Sequence, residues 1–237
     1  MAVDDLPMPV VNFLNVIGVP WPYIDEDAVL QFATLVREFA QAVENTHREA
    51  TDTIARIAEA HQGSSTEAMS SGWSRMSTNH VYEIVDACHV VADALDVAAG
   101  YIVAQKLEAI GILIGMAAAF LADQAAAVAT AGLAEAAVPL IIESAERVVK
   151  SLVMDLEQHV IGKVVEAGAK PLFAKVEAAM SGLDWGGAGE GTSADGGQGF
   201  SIDPTEVHVH TALLRSHAAT MRAHGDNFQL AVAGLGF

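Results

Sequence analysis

Between Val29 and Ile57 the chain reads VLQFATLVREFAQAVENTHREATDTIARI. Val29, Val36, Val43, Ala50 and Ile57 recur every seven residues, and Phe32, Phe39, Thr46 and Thr53 form a second row three residues further on. Alternating steps of three and four bring both rows onto one narrow stripe of an α-helix. Such a stripe cannot be buried by a helix standing alone, so the spacing predicts a long helix packed against another long helix. Acidic residues Asp25 and Asp27 suit its cap and first turn, and Gly63, with Ser64 and Ser65, ends the pattern in a turn with Glu67 placed for a capping box.

Outward from this stretch the composition is consistent with helices throughout. The 237 residues are 52% hydrophobic but only 6% aromatic, with Ala and Val supplying most of the apolar share. Small side chains let helices approach closely, and no run alternates apolar and polar as a half-buried strand does. The formal charge of −18 excludes the clustered Lys and Arg that nucleic-acid binding requires, and it opposes adsorption to anionic lipid. Cys88 is the only cysteine, so no internal disulfide forms, and a small buried core residue is the plain reading. The first residues are acidic and interrupted by Pro7 and Pro9, unlike a secretory signal peptide. The best transmembrane candidate, Ala109–Ala122, is 14 uncharged residues ended by Asp123, short of the roughly 20 that a spanning helix needs.

The N-terminal 24 residues read as a Pro-rich arm holding a short helix that Gly18 and Pro20 stop. A second helix carries Trp73, Met76, His80, Ile84, Ala87 and Val91, and runs, with or without a break near Gly100, into an Ala-rich segment to about Ala134. Another pattern passes through Leu140, Val148, Leu152, Leu156 and Val160, weakens at Gly162 and continues as a short helix to Met180. Residues 182–200 are Gly-rich and read as a flexible linker. Beyond them Asp203-Pro204 opens a further heptad, with Val207, Leu214, Met221 and Phe228 on one row and His210, His217, His224 and Ala231 on the other. The expected organisation is an all-α, elongated helical hairpin with its Ala-rich extension over residues 25–181, followed after the linker by the start of a second, truncated helical module at 201–237.

A long heptad helix, a glycine turn and a second helix with an early Trp resembles the WXG-type (Esx-like) hairpins exported by type VII secretion systems. The fuller likeness is to the WXG-like N-terminal domains of actinobacterial polymorphic toxins. It is carried by Ile17-Gly18-Val19-Pro20-Trp21-Pro22, Asp25-Glu26-Asp27, Phe39-Ala40, and Gly63-Ser64-Ser65 followed by Trp73 and Met76. The stretches Val85–Ala92, Ala122–Ala127 and Gly132–Ala137 add to it, and the likeness extends over about residues 5–183. The chain departs from the family at the turn, where His61-Gln62-Gly63 replaces Trp-x-Gly, so the wedged indole is lost or supplied by Trp73. The family's export signal, Tyr-x-x-x-Asp/Glu after the second helix, is matched in spelling by Tyr82 and Asp86, but inside the second helix, where a local i, i+4 pair is the simpler reading. The resemblance implies a secretion-targeting and interaction domain of a toxin or effector. Such a domain pairs with small WXG-type partners, meets the type VII machinery and leaves the cytoplasm by that route. Activity would reside in a toxin domain in cis in a longer parent chain.

No reaction chemistry competes with this reading. His210, His217 and His224 share a helix face but stand about 10 Å apart per step, too far for one metal ion, and read as a solvated or seam-lining row. A minor expectation is that this row senses pH. The paired carboxylates Asp93/Asp96 and Glu143/Glu146 lack an accompanying base, and Asp155/His159 reads as a surface pair. Neither a catalytic residue, a cofactor nor a metal is expected. Gly63, Trp73, Tyr82 and Asp86 are the interaction or secretion candidates, with Val29, Phe32, Val36, Phe39, Val43 and Ile57 as the helix seam. The competing class is a membrane-active protein that lines a pore or crosses a membrane through Ala109–Ala134.

Overall fold

The computed structural model describes residues 6–22, 25–61, 63–77, 81–129, 138–162, 166, 170, 174 and 203–235. Helices account for nearly all of them, and no strand occurs among the described residues. The Gly-rich segment 182–200, the end of the Ala-rich run beyond 129 and the short helix expected to reach Met180 lie outside this set, apart from isolated positions.

Helix α1 (Met8–Ile17) follows Pro7 and ends at Gly18, whose φ of 73° is left-handed. Its N–H closes on Leu14 O, the usual way a glycine satisfies the last carbonyls of a helix. Helix α2 (Glu26–Ala60) begins where Asp25 accepts a hydrogen bond from the Ala28 N–H, 3.0 Å away. Helix α3 (Ser64–Met76) follows the glycine turn, and α4 (Tyr82–Ala129) follows α3. The second helix expected from the sequence is described as α3 and α4 on either side of residues 78–80, which lie outside the described set. Gly100 leaves α4 unbroken over 48 residues, because its Ala-rich flanks carry the helix through. Helix α5 (Val138–Leu156) passes into a π-helical turn, Glu157–Ile161. Helix α6 (Pro204–Ala233) is capped by Asp203, whose Oδ1 accepts from the N–H groups of Thr205 and Glu206 at 2.8 and 3.3 Å.

These elements pack as two compact units, and both cross the serial segments expected from the sequence. One comprises Met1–Gln31 with Ala94–Val165, the other Phe32–Asp93 with Glu166–Gly236. In the first, Val10, Phe13 and Leu14 of α1 bury against Leu113 and Ala117 of α4 and Ala145 and Val149 of α5. Phe13 and Phe120 meet with ring centroids 5.5 Å apart. Further along, Ile102 and Ala109 pack on Leu152 and Leu156, so α4 and α5 run antiparallel, and Trp21 bridges both clusters. Val29, the first residue of the expected seam, packs on this second cluster. His159 stacks on Tyr101 at 4.0 Å while Asp155 accepts from Ser151, which replaces the expected Asp155/His159 pair. At the base of α2, Lys106 Nζ and Glu26 Oε2 form a fully buried ion pair 2.6 Å long.

In the second unit Val36, Val43, Ala50, Thr46 and Thr53 are buried along α2, and Ala87, Cys88, Ala92 and Val85 along α4. Burial pushes the Cys88 thiol pKa up, as expected for an inert core cysteine. Arg37 and Asp93 join α2 to α4 in an exposed ion pair of 2.7 Å, a contact of small energetic weight.

Candidate functional site

The candidate site is the α2–α3–α4 region of the second unit together with the helix lying on it. Its turn rests on Gly63, where φ is 154° and ψ 164°, a conformation open essentially to glycine alone. Gly63 O accepts from the N–H groups of Thr66 and Glu67 at 3.1 and 3.2 Å and so starts α3. Because the N-cap is Gly63 and offers no side chain, the capping box expected from Glu67 does not form in the described structure.

Trp73, ten residues into α3, donates its indole N–H to Thr51 Oγ1 at 2.9 Å. Thr51 in turn donates to the His47 carbonyl one turn back, at 2.8 Å. The His47 ring lies nearly parallel to Trp73 at 5.1 Å and edge-on to Tyr82 at 5.7 Å. Its Nε2 and Ser77 Oγ share a hydrogen bond of 2.6 Å. The buried imidazole is therefore clamped between α2, the end of α3 and the start of α4. Desolvation holds its pKa below the ordinary histidine value. Sequence reasoning singles out Trp73 and Tyr82 but misses His47, Thr51 and Ser77. The available signal is a His immediately beside the Thr46 seam position, with Thr51 one turn further along.

Tyr82 and Asp86 lie in the first two turns of α4. Both are exposed, and the Tyr82 ring faces His47.

The α2 stripe is not free. Phe32 and Phe39 meet Phe228 of α6 at centroid distances of 6.4 and 4.9 Å. Thr46 Oγ1 and His224 Nε2 are hydrogen-bonded at 2.9 Å, and Thr53 Oγ1 and His217 Nε2 at 3.3 Å. At the far end the Asp203 N–H donates to His61 Nδ1 at 3.4 Å. Advancing along α6 thus retreats along α2, so the two helices form an antiparallel pair. The helix expected to open a further module lies on the first heptad helix, and its His row lines their seam. Glu49 flanks this seam, 3.7 Å from His217 Nδ1.

The geometry offers helix surfaces, capped turns and polar layers within apolar seams, the equipment of an interaction domain built from packed helices. The family model described as the WXG100-like domain matches residues 4–145, which include α1 to α4 and the start of α5. The chain belongs to this family, and its matched region is a type VII secretion-related helical domain. The match stops short of residue 183, the end expected from the resemblance, and α6 lies outside it. Comparison with curated proteins and with solved structures gives no match.

Proposed function

We propose that this chain is the targeting and interaction domain of a type VII-secreted toxin or effector, pairing through its helices with small WXG-type partners and carrying a toxin domain in cis in a longer parent. The observation that carries the reading is the family match over residues 4–145, which includes the Gly63 turn and the Trp73 anchor. In this reading Tyr82 and Asp86, exposed at the head of α4, are presented to the secretion machinery, and Gly63 and Trp73 hold α3 in the geometry the partner reads. The serial organisation, an N-terminal arm, the hairpin with its extension, a linker and the C-terminal helix, belongs to the same proposal. The test is export of the tagged chain from its native host with and without a working type VII ATPase. Loss from the culture fluid only in the ATPase-deficient strain supports the reading, and equal amounts in both without lysis defeat it.

A second reading is favoured by one observation. Helix α4 is long and apolar enough to cross a membrane by length and composition, although about a third of its most apolar window is buried in the fold. The unbroken helix thereby lengthens the short Ala109–Ala122 run that the sequence presents. A membrane-active role through Ala109–Ala134 predicts dye leakage from liposomes at sub-stoichiometric protein, and intact liposomes would remove it.

A further inference from the structure

Helix α6 is held on α2 by one stripe. From His210 to Ala231 every third or fourth residue is drawn in, and of these only His210 is fully buried. Its opposite face, with His208, Arg215, Arg222 and Asp226, is exposed. So little apolar burial leaves the polar layers of the seam to decide how firmly the helix is held.

Each histidine of the row has a carboxylate at hand. Glu206 Oε2 stands 3.7 Å from His210 Nδ1, one turn away on α6. Glu49 Oε2 stands 3.7 Å from His217 Nδ1, across the seam on α2. Glu38, also on α2, lines one groove with His224, Phe39 and Phe228.

At His217 the hydrogen-bond roles are fixed. Thr53 Oγ1 donates its single proton to the Glu49 carbonyl at 3.0 Å, so it accepts from the His217 Nε2–H at 3.3 Å. A neutral His217 ring then turns a bare Nδ1 lone pair toward the Glu49 carboxylate, and two acceptors oppose each other. A proton on Nδ1 converts that opposition into a charge-assisted attraction while Nε2–H keeps its bond to Thr53. His210 Nδ1 is buried without a hydrogen-bond partner among the described residues, and a proton there faces Glu206. The bond between His224 Nε2 and Thr46 Oγ1 survives protonation, because a hydroxyl oxygen accepts as readily as it donates.

We propose that the α2–α6 seam is a proton-operated latch, tightened when His210, His217 and His224 take up protons and loosened when they release them. The latched state binds more protons than the open one, in which the histidines face water. Its stability therefore rises as pH falls through the histidine range, between about pH 8 and pH 5, and is lost only when the carboxylates themselves protonate near pH 4. Two groups act against it. Arg56, one heptad past Glu49, is a cation on the same flank of α2, but it is exposed and screened. His61 Nδ1 accepts the Asp203 N–H, and a proton there breaks that one bond at the end of the seam. Glu38, Glu49 and Glu206, with Asp52 and Glu59 further round α2, outweigh both. The latch decides whether Phe32, Phe39, Thr46 and Thr53 are covered, and it stands or falls without the export reading.

Amide hydrogen exchange on the whole chain, at about pH 8 and about pH 6 and corrected for the intrinsic pH dependence of exchange, tests the latch. The amides of α6 are expected to gain about tenfold in protection at the lower pH, the sum of a few partly exposed charge pairs. Amides of α3 and the start of α4, around His47, are expected not to share the gain. The double variant Glu49→Gln/Glu206→Gln changes two exposed side chains and keeps the helical circular dichroism. It is expected to cut the gain to about threefold or less while protection at pH 8 stays no lower than in the wild type. A merely structural role for these carboxylates lowers protection at both pH values instead, and that result overturns the proposal. So does α6 protection that is absent at both pH values, equal at both, or lower at pH 6, a gain shared by every helix, or a gain that survives intact in the double variant.

Discussion

Three residues set the local terms of this fold. Gly63 holds a backbone conformation with strongly positive φ. A Cβ there meets open space but not an accessible dihedral, so Gly63→Ala is expected to cost about 1–3 kcal/mol in chemical denaturation. Lys106 is the only Lys or Arg between Arg75 and Arg147, and it is wholly buried against Glu26. Lys106→Met removes the cation from a buried carboxylate and is expected to destabilise by about 3–5 kcal/mol, while the double variant Glu26→Leu/Lys106→Met recovers most of that loss. His47 is buried and neutral by preference, so its pKa in the fold lies below that of the unfolded chain. The unfolded state then binds more protons as pH falls, and the stability His47 contributes is present above about pH 6.5 and lost as pH descends through the folded value. Between pH 8 and pH 5 the wild type is expected to lose more melting temperature than His47→Gln, which keeps a polar partner for Ser77 without titrating. Of these residues the sequence reveals Gly63, because a glycine that ends a heptad pattern marks a backbone turn that side-chain-bearing residues resist. Lys106 is legible in principle as a lone cationic side chain in an apolar run. His47 shows only as a His beside the Thr46 seam position, since the ring that stacks on it lies on another helix.

At the scale of elements, the 3-4 spacing marks α2 and α6 as helices that each carry one narrow stripe. It does not reveal that they seal each other, since pairing between segments so distant in the chain leaves no local signature. The two hydrogen-bonded Thr–His layers explain why the seam tolerates polar residues. Thr46 faces His224 and Thr53 faces His217, so the polar residues of one stripe meet hydrogen-bonding partners on the other. Phe228 supplies the apolar complement by touching both Phe32 and Phe39. Phe228→Ala is expected to cost about 2 kcal/mol, below the usual value for a fully buried Phe because the ring is half-exposed, and to raise amide exchange along α6 before other elements.

For the molecule as a whole, the fold class is the most legible property, since composition, seam spacing and the absence of alternation all give the same answer. The grouping into units is the least legible, because each draws on segments more than sixty residues apart. The candidate site is half visible: Trp73, Tyr82 and the seam can be named, but the imidazole that joins them cannot. The pairing of α2 with α6 also orders events in time. Thr53 and His217 are separated by 164 residues, which a ribosome adds in roughly 10–30 s. Throughout that interval the earlier helix is complete while its cover has yet to be made, so its stripe is available to whatever else the cell supplies. Nascent chains stalled ahead of His217 are therefore expected to bind a hydrophobic dye, or a holdase chaperone, that the finished chain rejects.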